Sequence, residues 1–262
     1  MSETFLEKIV AKTRERVERA KAVGYVDSIR RRAEGVRQNA EPRRFLAALS
    51  QRDRTNIIAE IKRASPSKGT INANIDVGRT ARSYETGGAA AISVLTESEY
   101  FCGEIRDLVI ASKTVDIPIL RKDFTVDAYQ IYEAAAAGAD AVLLIVAALS
   151  REELVEFGQV TRELGMDALV EVHSADEFEI AHDIGAEIIG VNNRDLHSLE
   201  VSLEVSRDLI RHKPEGVLMV SESGITSRDD ILELKSLGFD GFLVGETLMR
   251  SGDPGATLKE WV

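Results

Sequence analysis

Short apolar segments alternate with helix-like polar segments along most of this chain. From about residue 87 onward, a segment with helical spacing reaches a glycine, and an apolar run follows within a few residues. Five of these junctions read GGAAAISVL (87–95), GADAVLLIV (138–146), GMDALVEV (165–172), GAEIIGVN (185–192) and GFDGFLVG (238–245). Glycine tolerates the left-handed turn that commonly ends a helix. The pattern therefore predicts repeated helix-to-strand joints.

Serines followed three positions later by an acidic residue mark the opposite joints, where strands lead into helices. The pairs are Ser150 with Glu153, Ser174 with Glu177, and the weaker Ser227 with Asp230. In such a pair, the hydroxyl and the carboxylate each accept a hydrogen bond from an exposed N–H group of the first helical turn. We expect helices to begin at these serines.

Eight short apolar runs are predicted as strands. They are continuously apolar rather than alternating, which is typical of parallel strands covered on both faces. Eight strand-helix units favour a single (β/α)8 TIM barrel, because an open doubly wound sheet more often has about five to seven strands and a dinucleotide-binding glycine motif, which is absent here. The predicted strands are residues 56–62, 89–95, 117–122, 141–146, 168–172, 188–192, 217–221 and 241–245.

Two segments depart from this repeating unit. Residues 1–50 contain FLEKIVAKTRERVERAKA and EPRRFLAALSQR, which predict an N-terminal helical extension whose last helix has Pro42 near its start. The connection RASPSKGTINANIDVG (63–78) has the composition of a mobile lid. We expect one domain over residues 1–262, of which about 1–50 form the extension.

Composition and charge exclude several classes of function. Apolar residues make up 44% of the 262 residues, enough for a folded globular core. The 33 basic and 44 acidic residues give a net charge of −11 without a basic block, so we expect no nucleic-acid binding. The charged N-terminus and the lack of any apolar run of about 18 residues predict neither export nor a membrane span.

The cysteine and histidine content bears on two further features, disulfide bonds and metal sites. Cys102 is the single cysteine, which rules out an internal disulfide and fits a reducing cytoplasm. The four histidines lack the spacing and the company of other ligands that a metal site needs: His173, His182, His197 and His212. We therefore expect no metal and no cofactor.

Polar residues collect where the predicted strands end. These ends carry Glu60 and Lys62, Lys122, Glu171, Asn192, and residues 221–224. Side chains two positions apart in a strand point to the same face, so Glu60 and Lys62 should lie together. Structural ion pairs are one interpretation. Repeated burial of charge brings a barrel no stability, however, and lysines beside glutamates can serve as acids and bases, which favours an active site.

Two glycine loops follow the last two predicted strands. Gly224 in SESGIT and Gly245 in VGETLM lie where backbone N–H groups near helix starts can face a ligand. Barrels commonly bind phosphate at this position. Each glycine alone could be a simple turn residue, whereas the pair predicts a phosphate site.

Taken in order, eight motifs resemble those of the indole-3-glycerol phosphate synthase family. The resemblance covers about residues 50 to 250, and implies ring closure of an anilino-deoxyribulose phosphate to an indole, with loss of carbon dioxide and water, in tryptophan biosynthesis. The motifs are AEIKRASPSKG, VLTESEYFCG, PILRKDF, GADAVLLI, LVEVH, IGVNNRDL, SESGI and VGETLM.

The resemblance also implies roles for the charged residues. Lys122 would be the general acid that protonates the ketone, and Glu171 would be the general base or proton partner of the dehydration. Lys62 would hold the substrate carboxylate and deliver a proton during dehydration. Glu60 and Asn192 would orient these groups and bind the substrate hydroxyls.

Further residues are implied to bind the substrate. Ser65 and the backbones of Gly224 and Gly245 would hold the phosphate. Arg194 and Ser223 would line the site.

An apolar wall and one departure complete this set. Phe101, Phe124 and Leu143 match positions that pack the aromatic ring, with ordinary core packing as the alternative.

At Glu246 the family often has a small residue, so only the backbone N–H is carried over. The carboxylate must turn outward or weaken phosphate binding. The extension aligns poorly with the family, and no residue there is assigned.

Two other functions stay open at this point. Lys122 or Lys62 could form a Schiff base in an aldolase-type barrel. The chain could also bind a phosphate ligand without turnover. The resemblance implies a small anionic phosphate substrate and makes other tryptophan-pathway enzymes candidate partners. We expect a monomer, although the sequence does not decide against a homodimer.

Overall fold

Eight parallel strands in the described part of the chain close into a barrel in sequence order. The computed structural model describes residues 4–24, 26–67, 69–196 and 198–262. The predicted (β/α)8 barrel is confirmed, and each strand lies within two residues of its predicted ends. The strands are β1 (Asn56–Ile61), β2 (Ala91–Leu95), β3 (Ile119–Lys122), β4 (Ala141–Ile145), β5 (Asp167–Val172), β6 (Ile188–Asn192), β7 (Leu218–Glu222) and β8 (Gly241–Val244).

Helices precede the barrel and follow its strands. In the N-terminal extension these are α1 (Phe5–Ala22), α2 (Val26–Arg37) and α3 (Arg44–Leu49). The later helices are α4 (Val77–Thr86), α5 (Ile105–Thr114), α6 (Ala128–Ala136), α7 (Arg151–Glu163), α8 (Ala175–Asp183), α9 (Glu204–Leu209), α10 (Arg228–Leu237), α11 (Glu246–Arg250) and α12 (Pro254–Trp261). No helix among the described residues is long and apolar enough to span a membrane.

Both helical segments singled out in the extension are observed. Helix α1 occupies the predicted FLEKIVAKTRERVERAKA segment and buries Ile9 and Val17. The short helix predicted with Pro42 near its start is also observed, as α3, which begins two residues after Pro42. Arg43 takes a left-handed conformation (φ 59°) as the N-cap, so α3 begins only at Arg44.

Arginines of the extension attach it to both ends of the barrel. From α1, Arg16 donates to both carboxylate oxygens of Asp123, just after β3, at 3.0 and 3.1 Å. From the end of α2, Arg37 donates to the backbone carbonyls of Ala139, Leu164 and Gly165, which precede β4 and β5. The extension is therefore anchored at the carboxyl and the amino ends of neighbouring strands.

The segment after β1 forms a small hairpin. Residues 64–65 pair in an antiparallel manner with residues 69–70. At the base of the hairpin, Arg63 makes a two-pronged ion pair with Asp107 of α5. At its tip, the Ser67 hydroxyl lies 3.3 Å from Nη1 of Arg194, which follows β6. The hairpin thus reaches across the barrel mouth, while its mobility stays a prediction.

Two of the three predicted capping boxes are confirmed. They are Ser150 with Glu153 in α7, and Ser227 with Asp230 in α10. At α8 the Ser174 hydroxyl accepts the N–H of Glu177 at 3.2 Å, as expected. The other predicted hydrogen bond of this capping box, from the N–H of Ser174 to the Glu177 carboxylate, is wrong. The Glu177 carboxylate accepts the N–H of His173 at 2.8 Å instead.

A stability prediction follows from the contacts that dock α3 at the amino end of β5. The buried Asp167 carboxylate accepts the N–H of Leu46 at 2.9 Å and pairs with Arg43. Asp167→Ala should lower the free energy of unfolding by about 3 kcal/mol, because it leaves a buried donor and a cation without their partner. Urea unfolding would measure this loss.

The control removes the other carboxylate on the same arginine. Glu187 also pairs with Arg43, at 2.9 Å, but its side chain is 49% exposed. Glu187→Ala should therefore cost less than about 1 kcal/mol. Equal losses in the two variants would contradict this account of the docking.

Candidate active site

A cavity of about 980 Å³ lies at the carboxyl ends of the strands. It brings together residues from the extension, the hairpin and the loops that follow the strands. Every site residue predicted from the sequence lines it: Glu60, Lys62, Ser65, Phe101, Lys122, Phe124, Leu143, Glu171, Asn192, Arg194, Ser223, Gly224, Gly245 and Glu246. This shared location leaves their individual roles as predictions.

Four charged side chains form one layer inside the barrel. Glu60 comes from β1, Lys122 from β3, Glu171 from β5 and Glu222 from β7. Inward-facing residues of alternate strands share a layer in this fold. The odd-numbered strands therefore bring three carboxylates around one ammonium group.

Lys122 lies between two buried carboxylates. Its Nζ is 2.8 Å from Oε2 of Glu171 and 2.7 Å from Oε2 of Glu222. The side chains of these three residues are only 14%, 3% and 1% exposed, respectively. Burial alone would lower the Lys122 pKa, but Glu171, Glu222 and Glu60 outweigh it and hold that pKa above its usual range. Lys122 is therefore a protonated group that can act as an acid.

Glu171 is held as a carboxylate. Burial alone would raise its pKa, but Lys122 and His173 outweigh burial and hold the pKa below its usual range. Its second oxygen, Oε1, accepts a hydrogen bond from Nδ2 of Asn192 at 3.0 Å. An ionised, oriented carboxylate of this kind can accept a proton.

Glu222 behaves differently from Glu171, although both contact Lys122. Burial, together with the charge of Glu171, raises the pKa of Glu222 to about 7 despite the nearby ammonium. Its buried Oε1 atom has no hydrogen-bond partner in the described part of the chain. Two carboxylates on one lysine thus have different proton affinities, an arrangement suited to proton exchange.

Sequence reasoning assigns no role to Glu222. The predicted strand stops at Ser221, one residue short of the observed end, and the SESG segment draws attention through its glycine. The usable signal was an acidic residue at a strand end, the same feature that identifies Glu171 in LVEVH.

The expected pairing of Glu60 and Lys62 is confirmed. Lys62 Nζ lies 2.7 Å from Oε1 of Glu60, and both side chains are largely buried. Gly245 lies against this pair, since a Cβ atom built there would overlap the Glu60 carboxylate and lie 2.9 Å from the Lys62 ammonium. The close approach explains why a glycine occupies this position.

An apolar wall faces part of the cavity. The rings of Phe101 and Phe124 lie 6.4 Å apart between centroids and are tilted by 38°. Leu143 on β4 lines the same cavity. Phe5 at the start of α1 lines it as well, a residue that the sequence did not single out. The extension therefore contributes directly to the site.

Polar loops form another part of the cavity wall. Ser223 and Gly224 both have left-handed backbones, with φ of 65° and 82°. Arg194 donates from Nη1 to the carbonyl of Leu199 at 3.0 Å, which fixes it within its own loop. Oε1 of Glu246 accepts from Nε of Arg250 at 3.1 Å along α11. The sequence requires the Glu246 carboxylate either to turn outward or to weaken phosphate binding. In the structure it is ion-paired with Arg250 beside the cavity.

No group of three or more His, Cys, Asp or Glu residues is arranged as a metal site among the described residues. His173, His182 and His212 belong to that part of the chain, and His197 lies outside the described residues.

Comparison with known sequences gives long, well-covered matches. The indole-3-glycerol phosphate synthase family model matches residues 6–261. The chain is similar to indole-3-glycerol phosphate synthase of Carboxydothermus hydrogenoformans, with 47% identity over 259 residues, 97% of this chain and 98% of that protein. It is also similar to the enzyme of that name from Koribacter versatilis, with 48% identity over 223 residues, 84% of this chain and 86% of that protein.

Comparison with solved structures shows a shared fold. The 3-hexulose-6-phosphate synthase from Salmonella typhimurium superposes with a TM-score of 0.63 at 13% identity, covering 79% of this chain and 96% of that one. Thiamine phosphate pyrophosphorylase from Pyrococcus furiosus superposes with a TM-score of 0.58 at 20% identity, covering 79% and 93%.

A substitution at Gly190 tests how the barrel accommodates Glu222. A Cβ atom at Gly190, on β6, would overlap the Glu222 carboxylate. Gly190→Ala should therefore cost about 1 to 3 kcal/mol in the free energy of unfolding. Gly158→Ala in α7 is the control, since nothing lies within 4 Å of a Cβ there and the helix should gain up to about 1 kcal/mol. Unchanged stability of Gly190→Ala in urea would contradict the predicted overlap.

The raised Glu222 pKa predicts a pH dependence of stability. Since folding raises this pKa from 4.5 to about 7, the folded state binds the proton more tightly. The resulting stabilisation is complete below about pH 4.5 and is lost as the pH rises through about 7. Glu222→Gln should remove this loss. Urea unfolding from about pH 4.5 to 8 measures it, and a constant difference between parent and variant would contradict it.

Proposed function

This chain belongs to the indole-3-glycerol phosphate synthase family, and from that premise we propose that Lys122, Glu171 and Lys62 carry out its catalytic steps. The enzyme is a carboxy-lyase of tryptophan biosynthesis. It closes carboxyphenylamino-deoxyribulose phosphate to indole-3-glycerol phosphate and releases carbon dioxide and water.

Lys122 is the general acid for ring closure. A ring carbon of the substrate attacks the ketone carbon, and the ketone oxygen takes up a proton as the new bond forms. The raised pKa keeps this buried group at the barrel mouth an ammonium, which can polarise the ketone oxygen and give up its proton once that oxygen becomes a strongly basic alkoxide. The contact of Lys122 with two carboxylates is the observation that carries the assignment.

Glu171 is the proton acceptor of the dehydration. After carbon dioxide leaves, the former ketone oxygen departs as water and a ring proton must be removed. The ionised carboxylate of Glu171 lies 2.8 Å from the Lys122 ammonium, which contacts the substrate oxygen. It is therefore close enough to the reacting part of the substrate to accept that proton. Asn192 orients Glu171 through its 3.0 Å hydrogen bond. Glu222, with a pKa near 7, is placed to exchange a proton with Lys122 between turnovers.

Lys62 recognises the carboxylate on the aromatic ring and delivers a proton to the departing hydroxyl. Its pairing with Glu60, at 2.7 Å, fixes the ammonium at the end of β1. Phe101, Phe124 and Leu143 hold the ring itself, which supports an enclosed pose with the reacting atoms held close together.

The phosphate lies at the loops after β7 and β8. Ser65 and the backbone N–H groups of Gly224 and Gly245 hold it, and Ser223 and Arg194 lie beside them on the cavity wall. The pairing of Glu246 with Arg250 supports this placement, because the neighbouring cation offsets a negative charge that would otherwise oppose the phosphate.

The remaining assignments concern the whole molecule. We place residues 1–262 in one domain, with about 1–50 as the extension, and we place the enzyme in the cytoplasm, which its single cysteine supports. The catalytic groups all come from one chain, so a monomer is sufficient for activity. Other tryptophan-pathway enzymes are its candidate partners.

The Schiff-base alternative is disfavoured by the charge on Lys122. A lysine must lose its proton before it attacks a carbonyl, whereas the surrounding carboxylates favour the ammonium. Borohydride added with the keto-phosphate substrate should therefore leave no covalent adduct in a mass spectrum.

Lys122→Met tests the catalytic assignment. It removes the acid but keeps most of the apolar volume, so turnover followed by indole fluorescence should fall by at least about a hundredfold, while the variant still binds substrate. Lys113→Met, at an exposed lysine of α5, is the matched control and should keep turnover within about twofold. Parental turnover in Lys122→Met would overturn the assignment, and loss of both binding and turnover would make Lys122 a binding residue instead.

A further inference from the structure

His173 lies beside Glu171, just after β5. It follows the last residue of β5, its side chain is 13% exposed, and it is not one of the residues that line the cavity. Its ring nitrogens face two carboxylates. Nε2 is 3.3 Å from Oε1 of Glu171, and Nδ1 is 3.1 Å from Oε2 of Glu177. The ring therefore links the proposed proton acceptor to the start of α8.

Glu177 departs from the usual capping arrangement to hold this histidine. In α7, the carboxylate of Glu153 returns to the N–H of the N-cap Ser150 at 2.8 Å. In α8, one oxygen of Glu177 accepts the backbone N–H of His173 at 2.8 Å and also contacts its ring. A single carboxylate thus fixes both the backbone and the side chain of His173.

We propose that His173, clamped by Glu177, is a positioning residue for Glu171, an inference that rests on the proposed role of Glu171 as proton acceptor. Oε1 of Glu171 accepts a hydrogen bond from Nδ2 of Asn192 at 3.0 Å, and Nε2 of His173 lies 3.3 Å from the same oxygen as an ion-pair contact without hydrogen-bond geometry. The other oxygen, Oε2, is then left to exchange between Lys122 and the substrate. Fixing one oxygen in this way orients the lone pairs of the other.

The charge on His173 gives it a second effect. Burial alone would lower the His173 pKa, but Glu171 and Glu177 outweigh it and raise the pKa to about 10. The ring is therefore an imidazolium at neutral pH. Of the other charged groups in this layer, Lys122 on β3 and Glu222 on β7 act on Glu171, and Glu60 on β1 acts on Lys122 and Glu222.

The positive charge of His173 acts on Glu171 in one step of the reaction, after Lys122 has donated its proton. When Lys122 gives its proton to the ketone, Glu171 loses the positive charge 2.8 Å away. Glu222 remains as an acidic neighbour and would favour protonation of Glu171. The imidazolium of His173 opposes this and keeps Glu171 a carboxylate until the dehydration step needs it.

Kinetics of three variants test the proposal. His173→Ala should lower kcat by about tenfold or more while KM stays within about twofold, because the ring acts through Glu171 and does not contact the substrate. His173→Gln keeps a donor near the Nε2 position and should recover kcat to within about threefold of the parent. His182→Gln, at an exposed histidine of α8, is the control and should match the parent.

Several results would overturn it. An unchanged kcat in His173→Ala, a loss confined to KM, or an equal loss in the glutamine variant would each contradict a positioning role. Glu171→Gln separates this failure from that of the proposed function. If Glu171→Gln loses turnover while His173→Ala keeps it, only the inference about His173 fails. If Glu171→Gln keeps turnover, the assignment of Glu171 fails as well.

NMR of the His173 ring protons gives a readout independent of activity. In the parent enzyme these signals should stay constant between about pH 6 and 8, since the ring remains protonated. In Glu177→Gln the ring loses one anionic partner and should titrate at a lower pH. Parental signals that titrate near 6.5 would show that the carboxylates do not hold the ring, and would contradict the clamp.

Discussion

The site depends on one ammonium group buried between two carboxylates. Lys122 lies within 2.8 Å of both Glu171 and Glu222. Such a group is stable only where the geometry supplies all of its partners, since an isolated buried charge costs several kcal/mol. The barrel meets this requirement through its symmetry, because the odd-numbered strands place their inward residues in one layer. Gly190, on the even-numbered strand β6, leaves the space that the Glu222 carboxylate occupies.

The extension is part of this arrangement. Arg16 of α1 pairs with Asp123, the residue next to Lys122, and the same carboxylate accepts hydrogen bonds from Thr96 and Arg121. Phe5, at the start of the same helix, lines the cavity. One helix outside the barrel is thus connected both to the strand that carries the acid and to the apolar wall. Through these contacts the extension can affect both the position of Lys122 and the shape of the cavity.

The sequence predicted the barrel because the fold repeats one local pattern. Continuous apolar runs and helix-ending glycines depend on neighbouring residues only, so all eight strands could be located. The polar strand ends were predictable for the same reason: Lys122 is the last residue of its strand and Glu171 is the last but one. Glu222 belongs to the polar segment 221–224 singled out from the sequence, but it received no role because that segment drew attention through its glycine and because its partner Lys122 lies 100 residues away in sequence. Phe5 and His173 were missed because their importance comes from contacts between segments distant in sequence or from a cap that departs from its usual pattern.

A crystal structure of Glu171→Gln with carboxyphenylamino-deoxyribulose phosphate bound would test most directly whether the Lys122 ammonium meets the substrate ketone. We expect the ketone oxygen to lie about 3 Å from Nζ of Lys122. The ring carboxylate should lie at Lys62, and the phosphate at the loops of Gly224 and Gly245. A substrate bound elsewhere, or with its ketone turned away from Lys122 and its phosphate at the opposite end of the cavity, would contradict this expectation.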